Sequence, residues 1–233
     1  MTEQFINELK ASPYYQRIFG DREVVMISFT GSRLIDITDD RSDVDLMVLT
    51  NDQKREEHAA EFLTYGSKKV HWHYVPITKL ISNEGGTLLS CVGEVQFIGL
   101  SDNKIIYANP KYATTINFLK EHKKSVALVG SYGLVRFKND LISGILNADE
   151  IKPENYTKFI YHLCFASYVL LQEMPNKNFL SSIKRIRWSP VSEEYRQLAI
   201  KRLRILQDFV TNNPVNLSEI IRSFNKGIMM TLK

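Results

Sequence analysis

A chain of 233 residues with 44% hydrophobic residues and a formal charge of +4 can bury a substantial core in one or two lobes. Its two cysteines, Cys91 and Cys164, stand far apart, which excludes a disulfide scaffold and a thiolate-rich metal site. No stretch approaches the roughly eighteen apolar residues of a membrane span, and the start, Met1 to Glu8, lacks a basic segment followed by an apolar one, so a cytoplasmic, reduced protein with no membrane contact is expected.

In chain order, Phe5, Ile6 and Leu9 predict an amphipathic opening helix, Ser12-Pro13 a second start and Gly20 its stop. The β-branched, apolar run Val24 to Thr30 predicts a buried strand that ends where Gly31 and Ser32 stand, and Asp43 to Leu49 predicts another. Thr50-Asn51-Asp52-Gln53 reads as a capping box opening a helix through about Thr64, with Gly66 ending it. Lys69 to Val75 reads as a third strand. Gly85-Gly86 interrupts the pattern, and Lys104 to Tyr107 reads as a further strand at the sheet edge.

From Pro110 onward the period becomes helical. Ile116, Phe118 and Leu119 lie in a segment ending near His122-Lys123-Lys124, and Pro153 opens a long helix to about Glu173 with an apolar stripe through Phe159, Ile160, Leu163, Ala166, Val169 and Leu170. Another helix runs from about Val191 to Thr211, ended by Asn212-Asn213-Pro214, and Ser218 is expected to cap a last one containing Ile220, Ile221 and Phe224. These stripes read as core. The fold class is therefore α/β in the broad sense and α+β in detail, a small mixed-sheet lobe over 1–110, a connecting segment over 111–150 and a mostly α-helical lobe over 151–233.

The chemistry is concentrated between Gly31 and Leu46. A glycine at a strand end lets backbone approach a phosphate closely, and the Ser32 hydroxyl beside it can donate a hydrogen bond. Residues i and i+2 of a strand share a face about 6.6 Å apart, at about 3.3 Å per residue, so Asp43 and Asp45 are expected to project together. Two ionised carboxylates held side by side persist when a cation, a basic side chain or water compensates them, and Mg²⁺, a hard ion content with one or two carboxylates, is the simplest compensator. The plainer alternative is a solvated acidic strand end, since Asp36, Asp39, Asp40 and Arg41 make the stretch generally charged; Leu46 to Leu49, which carries the strand into an apolar interior, argues against it.

An apolar strand, Gly31-Ser32, a spacer and Ser42-Asp43-Val44-Asp45-Leu46 together resemble the nucleotidyltransferases of the DNA polymerase β superfamily. Gly31 stands twelve residues before Asp43, as in many small members, although a second glycine of that loop is replaced, with Asp36 nearest its usual place. The resemblance implies that Asp43 and Asp45 hold Mg²⁺ or Mn²⁺ and act in catalysis. It also implies that Gly31, Ser32, Arg33 and Ser42 bind the nucleotide, Ser32 and the backbone around Gly31 and Arg33 taking its β and γ phosphates. A nucleoside monophosphate would pass from an NTP to a hydroxyl acceptor with release of pyrophosphate.

Members of that superfamily usually supply a third carboxylate from a neighbouring strand. The expected place, Lys69 to Val75, has no acid; His71 and His73 share one of its faces while Val70, Trp72 and Tyr74 pack as core on the other. Imidazole, with an unperturbed pKa of about 6.5, could act as a general base or bind a softer metal such as Mn²⁺ or Zn²⁺, and both histidines could equally be ordinary half-buried strand residues. Glu84 and Glu94 are the other acids close by in sequence.

The second half is also similar to the helical region that follows this lobe in a group of bacterial and phage proteins, on the strength of Lys158, His162 and Phe179-Leu180 followed by Lys184. Residues 1–150 hold 17 Lys and Arg against 20 Asp and Glu, whereas 151–233 hold 13 against 6, so the basic surplus is C-terminal. Its densest pieces, Lys184 to Trp188 and Lys201 to Arg204, could face polyphosphate or a nucleic-acid backbone, or simply water. Three functions follow: a metal-dependent nucleotidyltransferase; a nucleotide- or nucleic-acid-binding module that kept the lobe and lost its chemistry with the third acid; and a basic adaptor acting through 151–233. Nucleic acid, protein and small molecule all remain open as acceptor.

Overall fold

Two central strands with two polar residues each, β1 (Val24–Thr30) and β2 (Val44–Thr50), are buried on both faces along most of their length, and they organise the sheet. In this computed structural model the described residues are 3–33, 38, 42–52, 57–62, 69–80, 100, 102–148, 153–171, 173, 178–179, 181 and 192–233. With β3 (Glu57–Phe62), β4 (Lys69–Pro76) and β5 (Ile105–Ala108) the strands form one five-stranded mixed sheet in the order β3-β4-β2-β1-β5. All neighbouring pairs are antiparallel except β2 and β4, which run parallel.

The period-2 reading of β4 agrees with the structure. Val70, Trp72 and Tyr74 are buried on one face, while His71 and His73 on the other are half-buried. Against that core face lies α2 (Pro13–Phe19), which follows α1 (Glu3–Ala11) and is N-capped by Ser12, whose side chain accepts from the Tyr15 N–H. The Tyr74 hydroxyl donates to the Ile18 carbonyl at 3.1 Å, and Arg22 lies over the Tyr74 ring while pairing with Asp52 at 3.1 Å, so helix and sheet are tied by polar contacts as well as apolar ones.

One expectation is overturned. The helix read from the capping box through about Thr64 is not formed: Glu57–Phe62 is a strand, paired antiparallel with β4 from Glu57↔Tyr74 to Phe62↔Lys69. Its Ala- and Glu-rich composition favours helix, but without β3 one side of β4 would present a bare row of N–H and C=O groups, and pairing outweighs a propensity of a few tenths of a kcal/mol per residue.

The helices α3 (Ala113–Glu121), α4 (Lys123–Phe137) and α5 (Asn139–Leu146) fill the stretch read as connecting, followed by α6 (Pro153–Leu170), α7 (Glu193–Asn212) and α8 (Leu217–Thr231). Asn216 rather than Ser218 begins α8: its side-chain oxygen accepts from the Glu219 N–H, and its amide donates back to the Glu219 carboxylate at 3.1 Å. No helix among the described residues is long and apolar enough to cross a membrane.

The chain divides into two compact units. The first, Met1–Ile81 with Val95–Lys124 and Arg222–Lys233, contains the sheet. Within it the C-terminal part of α8 packs on α3, where Phe118 lies 5.6 Å from Phe224 and stacks on His122 at 4.0 Å. The second, Ser82–Glu94 with Ser125–Ile221, is helical among its described residues, and there the Tyr132 hydroxyl lies 3.0 Å from the carbonyls of both Val210 and Asn213.

A Cβ at Gly227 would overlap the Phe118 ring, which is hemmed in by His122 and Phe224. Gly227→Ala should therefore lower stability in urea unfolding by about 1–3 kcal/mol, despite the better helix propensity of alanine. The double variant with Phe118→Ala should lose less than the two single losses added. A stabilised Gly227→Ala would show that the ring moves aside freely.

Candidate active site

β1 ends at Thr30, and the chain enters a 3-10 turn, Gly31–Arg33, through Gly31 at φ +63°. Thr30 is the Cα partner of Asp45 in the antiparallel β1–β2 pair, so the turn falls directly beside that carboxylate. A Cβ on Gly31 would overlap the Asp45 carboxylate. Glycine is thus required twice at this position, by a backbone conformation that L side chains seldom adopt and by the space the carboxylate occupies.

Asp45 is in turn level with His71 on the parallel strand β4, which makes Thr30, Asp45 and His71 one row across three strands. Asp43 precedes the first residue of β2 and is exposed. Its Oδ2 lies 3.6 Å from His71 Nε2, a contact that becomes an ion pair when the imidazole is protonated. The structure brings Gly31, Arg33, Asp43, Asp45 and His71 to one end of the sheet. His73 stands two residues further along β4, level with Met47 rather than with either aspartate. Ser42 is buried immediately before Asp43, and Ser32 contributes its backbone to the turn.

Two cations converge on the turn. Burial lowers the pKa of the half-buried Arg33 guanidinium, and the charge of Asp45 opposes that shift, so the two side chains sense one another. The guanidinium remains charged at any physiological pH. Lys104, at the head of β5, donates from Nζ to the Arg33 carbonyl at 2.8 Å and is buried. No sequence signal marked this lysine, because the contact spans 71 residues and exists only through the pairing of β5 with β1.

Among the described residues no cluster of three or more His, Cys, Asp or Glu side chains is arranged to hold a metal ion. A hard divalent cation needs less: one or two carboxylates, with water and phosphate oxygens filling the remaining positions. Asp43 and Asp45 supply donors of that type, and the missing side chain at Gly31 leaves free the space beside the Asp45 carboxylate that a Cβ would fill. The donor set fits such an ion.

The remaining candidates lie elsewhere. Glu84, Glu94, Leu180 and 184–188 are outside the described residues. In the helical unit, Lys158 and His162 belong to α6, His162 half-buried. Lys201 and Arg204 are exposed on α7, whereas Arg202 lies over the Tyr168 ring at 4.2 Å and pairs with Glu173 at 2.7 Å. Burial works against the Arg202 charge, but hydrogen bonds to Glu173 and Tyr168 more than offset it and raise its pKa, so this cation is engaged within its own unit.

No protein-family model and no curated protein matches the chain. Among solved structures, a nucleotidyltransferase-like protein from Exiguobacterium sibiricum 255-15 is similar to it at a TM-score of 0.35 and 15% identity, over 98% of this chain and 74% of that one. A likeness so remote carries no weight for activity, which has to be read from the site itself.

Gly31→Ala combines a strained φ with an overlap against Asp45, and it should destabilise the protein by about 1–3 kcal/mol in urea unfolding. Gly31→Ala with Asp45→Ala should recover the part of that loss due to overlap and leave the part due to φ. Equal losses in the single and double variants would show that the carboxylate is not what confines this position.

Proposed function

We propose that the chain is a metal-dependent nucleotidyltransferase that moves a nucleoside monophosphate from an NTP to a hydroxyl acceptor. The observation that carries this reading is the seating of the Gly31 turn on the Asp45 carboxylate, with Asp43 and His71 beside it. It is supported by the mixed α+β fold, in which this turn and both aspartates lie in the sheet-containing unit.

Asp43 and Asp45 would hold the cation, Mg²⁺ or Mn²⁺. When bound it would act as a Lewis acid on phosphoryl oxygens, an effect worth several kcal/mol. The backbone of Gly31 to Arg33 and the Ser32 hydroxyl hold the β and γ phosphates. Arg33 offsets the negative charge of the β and γ phosphates, in the bound substrate and through the transition state alike. The acceptor oxygen forms a bond to the α-phosphorus as the bond from that phosphorus to the bridging oxygen breaks, and the electron pair leaves with pyrophosphate. His71, in the same cross-strand row as Asp45, takes the acceptor proton, a role an imidazole fills at neutral pH. His73, level with Met47, is assigned to supporting that strand rather than to chemistry.

A second reading is favoured by one observation, the lack of a third clustered ligand among the described residues: a module that binds nucleotide and no longer turns it over. Incubation with α-labelled NTPs and Mg²⁺ or Mn²⁺ separates the two. The enzyme gives labelled product and pyrophosphate; the binder gives only NTP-dependent thermal stabilisation. For the enzyme, Asp45→Asn should lower turnover at least about a hundredfold, equivalent to about 3 kcal/mol, while unfolding stability changes by less than about 1 kcal/mol. Parallel losses of stability and turnover would make Asp45 a structural residue.

A further inference from the structure

Lys104 is a buried lysine, 9% exposed, that donates to a main-chain carbonyl of the candidate phosphate-binding turn. Taking an ammonium out of water is costly, so its position reports a constraint on the turn rather than on solubility. The turn is held at its start by Gly31 against Asp45, but a glycine is the most permissive hinge a chain contains, and it cannot by itself fix where Arg33 points. The Arg33 carbonyl accepts the Lys104 hydrogen bond at 2.8 Å, and the charge of Asp45 favours the charged form of its guanidinium. A charge-assisted bond of that length restrains one peptide plane, and with it the origin of the guanidinium.

We propose that Lys104 is the positioning residue of this turn, holding Arg33 where it serves both Asp45 and the triphosphate tail of the substrate. This rests on the nucleotidyl-transfer reading above and assigns the turn's selectivity to polyphosphate rather than to the nucleoside. Lys104 itself is not assigned a contact with substrate. Its deletion should be felt as lost grip on phosphate, with the chemistry of bound substrate left largely intact.

Calorimetric titration of the full chain with inorganic tripolyphosphate in Mn²⁺, on wild type, Lys104→Met and Lys104→Arg, tests this, together with the KM and kcat for NTP. Expected is a roughly tenfold weaker tripolyphosphate affinity and a similar rise in KM for Lys104→Met, with kcat within about threefold, and recovery of most of the affinity in Lys104→Arg, which keeps a charged donor. A folded Lys104→Met that binds tripolyphosphate like wild type overturns the proposal and leaves the enzymatic reading standing. A Lys104→Met that fails to fold also overturns it, because Lys104 is then a structural residue. Wild type that binds neither tripolyphosphate nor any NTP overturns the enzymatic reading and this proposal with it.

Discussion

A carboxylate pressed against a glycine backbone fixes the candidate site. Asp45 is held by β2 between two neighbouring strands, so its Cα position is determined by hydrogen-bonded register and not by its own side chain. The turn that follows β1 must then pass over a group it cannot displace, and only a residue without Cβ, at φ +63°, allows that passage. Every other member of the site takes its place relative to this contact. Arg33 follows two residues later, Asp43 two residues earlier on the other chain segment, and His71 across the parallel pair. Register carries the precision because a slip of one residue in either strand would send Asp45 to the opposite face.

Among the described residues at this end of the sheet the charges balance. Asp43 and Asp45 bring two negative charges, Arg33 and Lys104 two positive ones, and His71 is neutral unless protonated. Part of the compensation that paired carboxylates require is therefore supplied by the chain itself, Arg33 being electrostatically coupled to Asp45. The described part of the site thus carries no net charge. On the reading proposed above it would become strongly positive only with a divalent ion in place, which suits a triphosphate and leaves a lone anion with little to gain.

Legibility in the sequence followed the strength of the local pattern. β1 and β2 were readable because apolar residues, several of them β-branched, dominate both, and β4 because core and polar residues alternate from Lys69 to Tyr74; together these placed Gly31, Asp43, Asp45 and His71 within reach of one another. β3 was misread because Glu57 to Phe62 carries helix-forming residues, and the deciding influence, an unsatisfied edge of β4, is a property of a partner strand. Asn216 displaced Ser218 as a cap because both are good capping residues and the choice depends on which one adopts the extended entry conformation. Lys104 was invisible as part of the site for the reason that makes it interesting: its carbonyl partner is remote in sequence, and carbonyls have no sequence signature.

A histidine rather than an acid at position 71 has a physical rationale in this row. Position 71 is directly level with Asp45 on an adjacent strand, and like charges so placed repel. A third carboxylate there would raise the charge that Arg33 already offsets only in part and would favour protonation of one of the pair, weakening both as donors to a cation. A half-buried imidazole adds no negative charge, and its Nε2 still reaches within 3.6 Å of Asp43. On the reading proposed above it would take the acceptor proton, at a lower desolvation cost than a carboxylate would incur. On that reading the cation would be held by Asp43 and Asp45 alone, which makes the placement of Asp45 beside Gly31 more consequential than it would be in a site with three carboxylates.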